Sequence, residues 1–139
     1  MKKQWQNVSA SGRESNRYRR AAPELERVIP GLAELLTPDD ETVLGCRFNE
    51  ALCHAALGRY DRALDLMTAL RGDMDRVLGA TAVLTMELRR QIGEVHIARG
   101  DVDTAERVLA DLLPDMRAEF GSDHPEVQEL GALLVNLRQ

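Results

Sequence analysis

The 139-residue chain has little that usually carries chemistry or crosses a membrane. Aromatic residues make up 4%, with one Trp, two Tyr and two Phe, so Leu, Ala, Val and Met must fill the core. No run of about 18 apolar residues is present, which excludes a spanning helix. The N-terminus carries charge without an apolar stretch, so it does not read as a secretory signal. The only cysteines, Cys46 and Cys53, are seven apart. On a helix they lie about 10 Å apart along the axis, too far to bridge. Both read as small hydrophobes in a reducing, cytoplasmic setting. Alternating β-branched runs and Asn-Gly hairpin turns are missing, so no strand is expected. Phosphate-loop, dinucleotide-loop and nucleophile-elbow patterns are also missing.

The net charge of −5 is uneven. Residues 1–20 sum to +5, leaving −10 on the rest. An acidic body lacks the basic surface that nucleic acid needs for counterion release, so nucleic acid is not an expected partner.

What is present is a repeat. LGRYDRALDLMTALRGDMDRVLGATA (57–82) recurs as RGDVDTAERVLADLLPDMRAEFGSDH (99–124), offset by 42 residues. Gly58 falls on Gly100, Ala63 on Ala105, Leu70 on Leu112, Met74 on Met116 and Gly79 on Gly121. A repeat of this length is one supersecondary unit stacked on its neighbours. The fold class is therefore all-α, a right-handed array of antiparallel helix pairs. Residues 1–15, polar and without period, read as a flexible tail that includes Trp5; residues 16–139 form the repeat domain.

Six helices are expected. The first runs from an Asn16 cap to Leu36, with Pro23 opening its regular part and Pro30 bending it. The others cover 41–57, 60–78, 83–99, 102–120 and 125–138. Gly58-Arg59 and Gly100-Asp101 are tight turns between antiparallel neighbours. Pro30, Gly72 and Pro114 share one repeat column, which suggests a recurring bend.

Gly58, Tyr60, Ala63 and Leu70 resemble the second half of a tetratricopeptide repeat. The 42-residue period and the linkers LTPDDETV and FGSDHPEV resemble its kinesin-light-chain-like subclass. The segments YRRAAPEL, TPDDETVLGCR, EALCHAALG and ELRRQIGEVHIARGD resemble repeats that follow serine/threonine kinases in actinobacteria, which implies a regulatory or docking module. No kinase motif stands in this chain, so it reads as a module and not as an enzyme.

His54 and His96 occupy one repeat column and read as packed interior residues. Cys46, Glu50, Cys53 and His54 lie within two turns of one helix, whereas a structural zinc site draws on two elements. No metal or cofactor is expected. His124 fits the linker pattern as a tether of helix ends, and Arg99-Gly100-Asp101 is a turn, not an adhesion motif.

The resemblance places any partner site on the first helix of each hairpin. Asn49 and Gln91 are aligned there, and an amide donates and accepts at once, which suits an extended backbone. Leu52, Arg90 and Glu94 complete the expected partner-binding set. Leu133 breaks the amide row in the third copy. The expected partner is a protein or peptide. The alternative is a homodimer formed through the terminal helices, because the last helix carries a wide apolar surface from Val127 to Leu137.

Overall fold

The computed structural model describes residues 12–139; the expected tail up to residue 11, with Trp5, lies outside them. Six helices follow in order: α1 (Gly12–Leu35), α2 (Glu41–Ala56), α3 (Tyr60–Val77), α4 (Val83–Arg99), α5 (Val102–Phe120) and α6 (Pro125–Leu137). No strand occurs among the described residues. Five helices match their expected spans to within one residue at each end. α1 starts at Gly12, four residues before the expected cap, and runs through Pro23 and Pro30. Both prolines are exposed. The carbonyls that lose a helical donor there can therefore bond water, so Pro23 does not open a new helix. Asn16 is not a cap but lies inside α1, where its Oδ1 accepts from Arg19 Nη1 at 3.4 Å.

The chain divides into two compact units, one ending at Val77 and one beginning at Leu78. In the first, α2 packs against both α1 and α3; in the second, α5 packs against both α4 and α6. Ala63, Met67, Leu70 and Met74 on α3 are fully buried, as are Ala105, Leu109 and Leu112 on α5. They recur every three or four residues and form one apolar stripe. Each buried Leu or Met contributes about 1.5–3 kcal/mol. In the second unit this stripe meets Met86 of α4 and Val127, Leu130 and Leu134 of α6 in one core.

The ends of the helices repeat as well. Gly58 and Gly100 turn the chain with φ of 78° and 94°, which suits a residue without Cβ. Thr37 holds φ 152° where the later copies have Gly79 at 99° and Gly121 at 91°. The next-but-two column holds the caps. Asp40 accepts from Thr42 N at 2.8 Å, and His124 Nδ1 accepts from Glu126 N at 3.2 Å. Ala82, between them in the repeat, makes no side-chain cap.

Candidate functional site

The first helices α2 and α4 carry the expected partner-binding residues. In the first unit, Asn49 is exposed on α2 and Leu52 is half-buried one turn on. Phe48, Ala51 and Cys53 beside them are buried and turn that helix toward the core. In the second unit, Gln91 is half-buried on α4. Its neighbours are of another kind. Arg90 stands in the column of Phe48 and is 9% exposed, and Glu94 is 1% exposed.

Arg90 and Glu94 face each other across one helical turn, with Arg90 Nε donating to Glu94 Oε2 at 3.1 Å. The same guanidinium donates to Glu129 Oε1 and stands 3.8 Å from Glu126 Oε1, both on α6. A buried polar side chain needs a hydrogen-bond partner, and Arg90 supplies one to Glu94. The pair therefore ties α4 to α6. The sequence places both residues among the contact set because it shows only that they share a face of α4. The α6 carboxylates that Arg90 meets are 36 and 39 residues away.

The structure also shows a pair of ion bridges that the sequence reading left out. Arg47 donates to Asp73 at 2.7 Å, and Arg89 donates to Asp115 at 2.8 Å. Both link a first helix to its own second helix, and both are offset by the same 42 residues. The identity of the aligned residues was the available signal. The Arg47 hydrogen bond is the main cause that holds the Asp73 carboxyl below the usual carboxylate range.

The repeated histidines are enclosed. Burial pushes the imidazoles of His54 and His96 toward the neutral form. Arg59 Nη1 approaches His54 Nδ1 at 3.5 Å, and Glu50 Oε2 lies 3.8 Å from Nε2. An arginine can only donate, so this contact requires the tautomer in which Nδ1 accepts and Nε2, on the side of Glu50, carries the proton. Burial also pushes the Glu50 carboxyl and the Cys53 thiol up. A thiol shifted upward is a poor nucleophile and a poor metal ligand at neutral pH. No group of three or more His, Cys, Asp or Glu residues is disposed to hold a metal ion among the described residues. His124 caps α6 and packs its ring 5.0 Å from that of Phe120. No helix among the described residues is long and apolar enough to cross a membrane.

No family model matches the chain, and no curated protein matches it in sequence. Solved structures do. The chain is similar to the nearly identical TPR-like repeats assigned to a kinesin light chain of Podosopora anserina, at 17% identity and a TM-score of 0.77. That match covers 95% of this chain and 64% of the other, so the chain spans less than two thirds of its length. A variant of the same repeats matches with the same identity and TM-score over 99% of this chain and 67% of that one. At this identity the likeness concerns the fold. The chain has a tetratricopeptide-like helical repeat fold of the kinesin-light-chain kind.

Proposed function

We propose that the protein is a protein-interaction module that docks an extended segment of a partner on its first helices. The supporting observation is the repeat fold together with the exposed amide of Asn49 on α2 and its aligned counterpart Gln91 on α4. A carboxamide can bond both the N–H and the C=O of an extended backbone. Leu52 supplies apolar contact beside Asn49. Arg90 and Glu94 serve the same face by fixing α4 through their ion pair, which leaves direct contact chiefly to the amides. Regulation of a kinase is the setting that the sequence resemblance implies.

The test compares capture of partners from a native lysate by the wild type and by a chain carrying Asn49→Ala and Gln91→Ala, with helicity followed by circular dichroism. Loss of bound partner at unchanged helicity is expected. Equal capture by both chains contradicts this placement. If capture is lost only with Arg90→Ala, the face depends on α4 geometry and not on the amides.

A further inference from the structure

Within the first unit, α3 packs on α2 and reaches α1 through an ion pair. Arg62 on α3 donates to Glu26 on α1 at 3.4 Å, and Asp73 on α3 accepts from Arg47 on α2 at 2.7 Å. Two repeat lengths later the same columns form a groove of about 330 Å³ between α5 and α6. Its walls include Ala110, Leu113 and Pro114 on α5 and Gly131, Leu134 and Val135 on α6. These align with Glu26, Ile29, Pro30, Arg47, Glu50 and Ala51 of the first unit, where α3 packs on α2 and pairs with α1. The polar wall residues Glu26, Arg47 and Glu50 have become Ala, Gly and Leu, while Arg117 and Arg138 stand in the columns of Ala33 and His54 at its rim. The repeat therefore defines the shape of the missing occupant: a helix of the α3 and α5 type.

We propose that α1 of a second copy of this chain occupies this groove. Two observations on α1 single it out. Its Ala21, Leu25, Val28 and Leu32 stand in the columns of Ala63, Met67, Leu70 and Met74, all of which are fully buried. On α1 none of the four is buried, and Val28 is 43% exposed. The stripe that α3 and α5 bury is thus only partly covered on α1.

The second observation concerns charge. Arg47–Asp73 and Arg89–Asp115 staple each first helix to its second helix. In these two columns α6 carries Gly131 and α1 carries Gly31. Seated together, the two helices bring glycine against glycine, so these two columns leave no charge without its partner. A helix with an aspartate in that column would set it against Gly131. Val135 is larger than Ala51 and Gly93 in the small-residue column, so the two helices sit farther apart than inside a unit. The contact is head-to-tail, α6 of one copy with α1 of the next. It is independent of segment docking on α2 and α4.

The test restores the lost ion pair across two chains. An added Cβ meets nothing within 4 Å at either Gly31 or Gly131, and both positions are helical, so Gly31→Asp and Gly131→Arg are tolerated. Sedimentation equilibrium of each variant alone is compared with their equimolar mixture. The mixture is expected to associate about threefold to fivefold more tightly than either variant, with the gain fading as salt is added. Such a gain supports the pairing whether or not the wild type associates at the same concentration. In the wild type, Val28→Asp is expected to weaken association without lowering the melting temperature. A mixture that gains nothing overturns the proposal. So does association that Gly131→Arg weakens and Gly31→Asp on the other chain does not restore, which is the signature of a symmetric α6–α6 contact.

Discussion

The two units solve one packing problem with different residues. In each, the loop before the first helix must be held against the end of the second helix. The first unit uses an exposed network: Arg76 on α3 grips Asp39 of the loop through two bonds of 2.9 and 3.0 Å and also reaches Asp73. The second unit has Thr81 and Ala118 in the columns of Asp39 and Arg76, so this grip is absent. Arg89 replaces it from within. Besides Asp115 it donates to the carbonyls of Ala80 at 3.0 Å and Asp111 at 3.3 Å. Its side chain is 5% exposed, against 26% for Arg47. A repeat column thus conserves the task more closely than the environment, and equal residues in equal columns need not contribute equally.

The largest difference should appear when these arginines are removed. Arg89→Ala removes a buried side chain that donates to Asp115 and two carbonyls, and a loss of about 1–3 kcal/mol is expected. Arg47→Ala should cost less than about 1 kcal/mol, because solvent screens that pair. Urea denaturation of the two variants checks the order; equal losses would remove the distinction between the units.

A second contrast lies in the small-residue column. A Cβ on Gly93 would come within 2.4 Å of Leu109 Cδ2 and 2.6 Å of its Cγ. Leu109 is fully buried and cannot move aside cheaply. The first unit pairs Ala51 with Met67 in the same columns, a larger small residue with an unbranched, adaptable large one. Gly93→Ala is expected to destabilise by about 1–3 kcal/mol through overpacking, reduced by the better helix propensity of alanine. Leu109→Met added to it should recover most of the loss. If the double variant is no better than the single one, the two columns are not coupled.

The cap column gives a smaller effect of opposite sign in the two units. Asp40→Ala removes the α2 cap, and Ala82→Asp supplies one to α4. Each should move stability by about 1 kcal/mol, downward and upward respectively. Thermal melts of the two variants decide this.

The histidine column should behave alike in both units. Each folded-state imidazole has its pKa below the ordinary 6.5. The unfolded chain then binds more protons, so the stability they contribute is complete above about pH 6.5 and is lost as pH falls through the lower folded value. Melting temperature should decline from pH 7 toward pH 5, and His96→Leu should flatten that decline. A decline unchanged in this variant would assign it to other groups.

Most of the fold was legible because its punctuation is local. Gly58, Gly100, Asp40 and Pro125 mark helix ends through their own backbone chemistry, and the 42-residue offset supplies the pairing of helices. The start of α1 was not legible, because its first turn is polar and carries no apolar period. The candidate site was legible only in part. Asn49 is exposed, as a binding residue requires, whereas Arg90 is engaged by Glu129 of α6, a contact that no local pattern records. The Arg–Asp bridges were visible as identities between aligned copies and carried information that single-residue inspection passed over.

The central claim, that a partner is held on the first helices, is tested most directly by hydrogen exchange on the captured complex. Added protection is predicted in α2 around Asn49 and in α4 around Gln91, with α5 and α6 unchanged. Protection confined to α5 and α6, with none on α2 and α4, would contradict it.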